Sequence, residues 1–218
     1  TASGGPFLNK KFNDIKNASF ENAVQHPKWN MGVKNSIDSA TLVNKCLEVI
    51  EAHYLFNIEY NKLNILIHPE ALVHSIIEYK NYTSFLNYFY HDMDIPLYNF
   101  LNLINKNHKY SNISSDYNFK KNSSLNFNEP SLNNFPILKI FNQLDKTVHL
   151  NIIKFNSANE FAVNLFTRKM IKFSDIYNII DKSMNLDVNF EVNSINNILI
   201  YQDIFINKIK IEFNLTGG

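Results

Sequence analysis

Between Ser36 and Phe56 the chain carries its strongest helical signal. Leu42, Val43, Leu47, Ile50 and Leu55 recur at spacings that gather them on one face, and Thr41, Asn44, Lys45 and Glu48 fall opposite. Ser36 or Asp38 is placed to cap such a helix. A helix with a single apolar stripe must pack against something, so a core has to form around it. With 218 residues, 45% of them hydrophobic and 14% aromatic, the chain can build one large domain or two small ones.

The flanking segments predict an α+β fold class. Ser19 is a plausible N-cap for a short helix over 19–24, which His26-Pro27 ends because a residue before proline avoids helical dihedrals. A loop from Lys28 to Asn35 follows. Leu63 to Ile67 reads as a short buried strand, and Leu72 to Tyr79 with Thr83 to Phe89 read as two strands joined through Lys80-Asn81-Tyr82, together a small mixed sheet. From about Asn105 to Asn134 the sequence is polar and lacks apolar periodicity, which marks a linker or insertion. Beyond Phe135-Pro136 the pattern turns helical. Pro136 suits a first turn, Asn156 or Ser157 can precede a helix through Phe166, and Ser174 and Ser194 can cap two more, giving an all-α four-helix bundle. The expected domains are 1–104, 105–135 and 136–218.

A formal net charge of +1 with no Lys/Arg-rich block excludes the broad electrostatic footprint that nucleic acids or anionic membranes require, so any anion is bound locally. No apolar run is long enough for a membrane span. The single cysteine, Cys46, rules out an intrachain disulfide and a Cys-based zinc cluster, and reads as a small core residue. Thr1 begins in what reads as the end of a strand running into a Gly-Gly-Pro turn, so the sequence is expected to be the C-terminal part of a longer protein.

Chemistry concentrates in two places. Ser39 falls in the first turn expected for the helix beginning near Asp38, where unpaired backbone N–H groups favour an anion. Thr41, Asn44 and Lys45 neighbour one another or Glu48 on the helix surface, so a hydroxyl, an amide and an ammonium can converge on phosphate oxygens; the same residues also suit a solvated face with a Lys45–Glu48 pair. Ser3-Gly4-Gly5 offers a hydroxyl and unobstructed amides, a second phosphate contact. Glu48 is a candidate Mg²⁺ or Mn²⁺ ligand, although one glutamate is half a site. His26 can donate a hydrogen bond or move a proton near neutral pH, and Trp29 and Met31 can exclude water from a ligand or anchor the loop in the core. His53, His68 and His74 are too scattered for a metal cluster and read as structural. No G-x-G-x-x-G or P-loop occurs, so a dinucleotide is not held in the usual way.

Four motifs occur in order: T-A-S-G-G-P-F, H-P-x-W-x-M-G-x-K-x-S-I-D-S-A-T-x-x-N-K-x-L-E, I-H-P-E-x-x-V-H-S and S-A-N-E-F-A-V. In these the chain resembles the 1-deoxy-D-xylulose 5-phosphate reductoisomerase family over most of its length. The resemblance implies an NADPH- and divalent-metal-dependent rearrangement and reduction of deoxyxylulose phosphate to methylerythritol phosphate, in isoprenoid biosynthesis. It implies that Ser3, Ser39, Asn44 and Lys45 bind the substrate phosphate, that Glu48 ligates the metal, that His26, Trp29 and Met31 belong to a mobile lid over the substrate, and that Gly32 in that loop meets the cofactor. It further implies a homodimer formed through the sheet, inhibition by phosphonates of the fosmidomycin type, and a plastid-type organelle or bacterial cytoplasm as the compartment of a soluble enzyme. The family's nicotinamide domain, catalytic lysine and Asp-Ser-Glu metal motif precede the T-A-S-G-G-P turn, so this chain alone is expected to be inactive. Cys46 replaces a small residue of the family pattern, Lys80-Asn81-Tyr82 an Asp-Gly turn, and Phe89-Tyr90-His91 a glycine-rich approach, which puts strand register and dimer geometry in question. A non-catalytic phosphate-binding and dimerisation module is the competing expectation; a metal-dependent phosphatase is disfavoured by the single candidate carboxylate.

Overall fold

The computed structural model describes residues 1–28, 31–104 and 124–214. Most of the expected linker therefore lies outside the described residues, as does Trp29. A 3-10 turn at Gly5–Phe7 leads into α1 (Phe12–Ile15), α2 (Phe20–Val24), α3 (Val33–Thr41) and α4 (Val43–Phe56). After a second 3-10 turn, Tyr60–Lys62, come strands β1 (Val73–Glu78) and β2 (Ser84–Tyr88) and helix α5 (Asp94–Ile104). Four helices complete the chain: α6 (Ile137–Gln143), α7 (His149–Thr167), α8 (Phe173–Met184) and α9 (Ile195–Glu212). The α+β expectation holds in a coarse form, as helices plus a two-stranded sheet.

That sheet is antiparallel rather than mixed, with Ile76 opposite Leu86 and an irregularity between Val73 and Ser75. The expected strand over Leu63–Ile67 shrinks to bridges at Ile67, parallel to Ala2 and antiparallel to Asn128. Four backbone hydrogen bonds hold it: Ala2 N–H to Leu66 C=O at 2.8 Å, His68 N–H to Ala2 C=O at 2.7 Å, and Ile67 and Asn128 in reciprocal exchange at 2.8 and 2.9 Å. These bonds fix the segment that leads into Ser3. In the hairpin turn Tyr82 takes φ 65° and is fully exposed, so it holds a left-handed conformation without any packing to repay the strain. Tyr82→Gly should raise stability by about 0.5–1 kcal/mol in urea denaturation, the strain relieved exceeding the entropy glycine adds to the unfolded chain.

The largest correction concerns the best sequence helix. It is two helices, broken at Leu42, whose φ of 66° places it in the left-handed region. The first begins at Val33 after Gly32, so Ser36 and Asp38 are interior and buried rather than caps. Leu55, expected on the apolar face, is 75% exposed, because on α4 it lies about 140° around the helix from the buried Ile50. Ser19 caps α2 through Asn22 N–H at 3.2 Å, and Ser194 caps α9 through Asn197 N–H at 3.2 Å, both as expected. Asn156 and Ser157 lie inside α7, which starts at His149, and Ser174 lies inside α8, where Asp175 accepts from Lys172 N–H at 2.9 Å.

α7 packs on both α8 and α9, and also reaches back to α3 and α4, while α6 packs on α4. The four C-terminal helices are thus not a self-contained bundle among the described contacts. Buried side chains from both ends of the chain join one hydrophobic cluster, with Ile37, Ala40 and Val43 from α3 and α4 beside Phe155, Ala158 and Ala162 from α7. Phe7 meets Phe173 edge-on at 5.1 Å, which closes the first turn of the chain onto α8.

Candidate functional site

Ser39 lies in the last turn of α3, not in a first turn, because the helix starts earlier than its sequence signals suggest. The free N–H groups expected around it belong instead to α4, whose first turn carries Asn44 and Lys45. Thr41 is buried and committed to the break: its hydroxyl donates to Ile37 C=O at 3.1 Å and accepts from Val43 N–H at 3.3 Å. It is therefore unavailable to a ligand, contrary to the convergence of hydroxyl, amide and ammonium expected from spacing.

The Ser3-Gly4-Gly5 turn sits directly on the end of α3. Gly4 and Gly5 have φ of 85° and 62°, and a Cβ on Gly5 would lie 2.8 Å from the Ser39 carbonyl oxygen. Only glycine allows this approach, and it is what joins Ser3 to Ser39. Ser3 Oγ accepts from Gly5 N–H at 3.2 Å and lies 3.0 Å from His26 Nε2. His26 Nδ1 accepts from Lys28 N–H at 3.2 Å, so the network assigns the ring proton to Nε2, which donates to Ser3. In that arrangement Ser3 Oγ acts as acceptor in both of these bonds, and its own proton is committed to neither. Burial, and secondarily the Lys45 charge, lower the proton affinity of His26, in accord with a neutral ring at pH 7.

Lys45 Nζ donates to both Glu48 oxygens, at 2.7 and 2.6 Å, and Asn44 Nδ2 donates to Glu48 Oε1 at 2.6 Å. The Lys45–Glu48 pair expected from the solvated-face reading is thus formed, yet Lys45 is only 21% exposed and acts electrostatically on both His26 and His74. Ser3, His26, Asn44, Lys45 and Glu48 therefore belong to one neighbourhood, with Ser39 joined through Gly5. Met31 is half-buried beside Gly32.

Gly32 is the N-cap of α3 at φ −58°, and an added Cβ there would meet nothing within 4 Å. Neither conformation nor crowding requires glycine at this position. Gly32→Ala should not lower the urea unfolding midpoint, and any loss of NADPH affinity it causes in the polypeptide extended upstream would therefore report close ligand approach.

His53 and His68 have the structural roles expected of them: Nδ1 of His53 bonds Ile58 C=O at 2.7 Å, and the buried His68 bonds Asn126 C=O at 2.8 Å and stacks on Phe127. His74 is also held, by Phe89 C=O at 3.0 Å, but its place in the field of Lys45 was not legible from its scattered position in the sequence. Among the described residues no group of three His, Cys, Asp or Glu side chains can enclose a metal. Glu48 can serve as one oxygen ligand of a hard cation, so a complete site needs donors beyond these residues. The sequence contains no G-x-G-x-x-G or P-loop.

Residues 1–56 match the family profile described as the 1-deoxy-D-xylulose 5-phosphate reductoisomerase C-terminal domain, and residues 90–205 match that of the DXP reductoisomerase C-terminal domain. The chain is 40% identical over 199 residues to 1-deoxy-D-xylulose 5-phosphate reductoisomerase of Clostridium novyi, covering 91% of this chain and 51% of the relative. The reductoisomerase of Zymomonas mobilis in complex with NADPH superposes with a TM-score of 0.84 at 31% identity, covering 96% of this chain and 53% of that one. A DOX-P reductoisomerase in complex with NADPH, fosmidomycin and magnesium gives a TM-score of 0.83 at 32% identity, covering 100% of this chain and 55% of that one. The chain spans about half the length of the relatives it matches.

Proposed function

Because the chain belongs to the 1-deoxy-D-xylulose 5-phosphate reductoisomerase family, we propose that it supplies the substrate-phosphate half of the site that converts 1-deoxy-D-xylulose 5-phosphate to 2-C-methyl-D-erythritol 4-phosphate with NADPH. The observation that carries this reading is the seating of the Ser3-Gly4-Gly5 turn on the last turn of α3, with Ser3 bonded to His26, a ring in the field of Lys45. Ser3, Ser39, Asn44 and Lys45 bind the phosphate dianion, the lysine by charge and the others by directed hydrogen bonds. His26, neutral and donating to Ser3, fixes the rotamer of that hydroxyl and lies at the edge of the substrate. Met31 covers it.

Glu48 is one ligand of Mg²⁺ or Mn²⁺, the other ligands coming from outside the described residues. When bound, such a cation acts as a Lewis acid on substrate oxygens and orients them for rearrangement. Binding both groups requires Lys45 to leave Glu48, the ammonium turning to the phosphate and the carboxylate to the metal. NADPH finds no phosphate cradle in these residues, so its binding is assigned to protein beyond them, with Gly32 as a contact. The exposed apolar residues of the hairpin, Ile77, Tyr79, Phe85 and Leu86, favour a homodimer through the sheet. Among the described residues no helix is long and apolar enough to cross a membrane, which accords with a bacterial cytoplasm or plastid-type organelle.

The test is deoxyxylulose phosphate-dependent oxidation of NADPH with Mg²⁺, measured for this chain and for a polypeptide extended upstream. Turnover confined to the longer polypeptide is expected. Folded protein inactive in both forms would favour a non-catalytic phosphate-binding and dimerisation module.

A further inference from the structure

α3 is the member on which the whole site rests. Its last turn carries Ser39, its terminal carbonyl receives Gly5, and its break at Leu42 launches α4 with Asn44, Lys45 and Glu48. What holds α3 in place is unusual for so short a helix. Asp38, 1% exposed, spends one carboxylate oxygen on Lys34 Nζ at 2.6 Å and the other on Asn159 Nδ2 at 2.9 Å, across to α7. Asn159 is fully buried, and its own amide oxygen has no hydrogen-bond partner. Apolar side chains surround this contact, and they could hold α3 to α7 without the cost of burying a carboxylate and an amide. A polar tie in such a place fixes one rotation and one register, where apolar packing alone tolerates several.

We infer that Asp38, held by Asn159, is a positioning residue for the phosphate site: the buried Asp38–Asn159 bond sets the roll and register of α3 on α7, and through α3 the placing of Ser39, the Ser3-Gly5 turn and the start of α4. Lys34, 41% exposed at its side chain, meets the Asp38 carboxylate at 2.6 Å from the solvent side. The sequence contained both partners, in S-I-D-S-A-T and S-A-N-E-F-A-V, without any sign that they meet. The inference rests on the phosphate-site reading above.

The test uses inorganic phosphate as the probe, titrated calorimetrically into this chain and its variants, with urea unfolding followed in parallel. Asn159→Asp sets a second carboxylate against Asp38 and should weaken phosphate binding at least about tenfold in protein that retains native near-ultraviolet circular dichroism. Adding Asp38→Asn to that variant exchanges the carboxylate and amide across the same contact, restores the bond with donor and acceptor reversed, and should bring affinity back to within about threefold of the parent. A folded Asn159→Asp protein that binds phosphate like the parent overturns the inference. If that single variant does not fold, the exchanged pair decides: parental affinity supports the inference, and a weak or unfolded exchanged protein overturns it. Failure of the parent chain itself to bind phosphate refutes the phosphate-site reading, and this inference with it.

Discussion

Gly5→Ala is expected to cost about 3 kcal/mol in urea denaturation and to abolish phosphate binding in whatever protein remains folded. The reasons are separate and reinforcing. At φ 62° an alanine is strained by its own backbone, and its Cβ would stand 2.8 Å from the Ser39 carbonyl oxygen. That oxygen belongs to a helix end already satisfying Leu42 N–H at 3.3 Å, so it is backbone that cannot swing aside as a side chain would. Relief has to come from lifting the Ser3 turn off α3, which parts Ser3 from Ser39. Gly4→Ala is a useful contrast: its Cβ meets the Leu8 side chain, which can change rotamer, although its φ of 85° still leaves strain. The site reading fails if Gly5→Ala unfolds more easily yet binds phosphate as well as the parent.

Lys45→Ala should weaken phosphate binding about 100-fold, because a partly desolvated dianion loses its cation and a charge-assisted hydrogen bond. Glu48→Gln should act in the opposite sense when no metal is present. The carboxylate that now holds Lys45 at 2.6 Å competes with phosphate for the ammonium, so removing its charge should strengthen binding about threefold, the modest size reflecting the solvent that reaches Glu48. With Mg²⁺ the order reverses in the polypeptide extended upstream: the ion should improve ligand binding and turnover with Glu48 present and do neither with Glu48→Gln. Calorimetric titration of phosphate with and without Mg²⁺ separates these outcomes. Equal, small effects from both substitutions would remove the assignment of Lys45 to phosphate and Glu48 to metal.

Much of the site was legible in the sequence because its residues are close in the chain. Ser19 and Ser194 caps, the hairpin and the neighbourhood of Asn44, Lys45 and Glu48 all depend on local spacing, which sequence patterns record directly. What was not legible depends on tertiary context. Nothing in the apolar period reveals that Leu42 adopts φ 66°, since leucine seldom does so and the periodic run continues past it. The assignment of Thr41 to a ligand follows from that break, and the misplacement of Ser39 from an α3 that starts at Val33, earlier than its cap signals suggest. Nor could the sequence show that the strand expected at Leu63–Ile67 would find partners only at Ile67, or that His74 would come within reach of the Lys45 charge.

The bend at Leu42 also governs which length changes the chain can tolerate. Each residue added to or removed from a helix turns everything beyond it by about 100°. A deletion between Thr41 and Asn44 would swing Lys45 and Glu48 out of line with the Ser3 turn while leaving every side chain of the motif present. Composition would be preserved and the phase lost. The long motif from His26 to Glu48 is thus a ruler as much as a set of candidate ligands, and its length is as constrained as its letters.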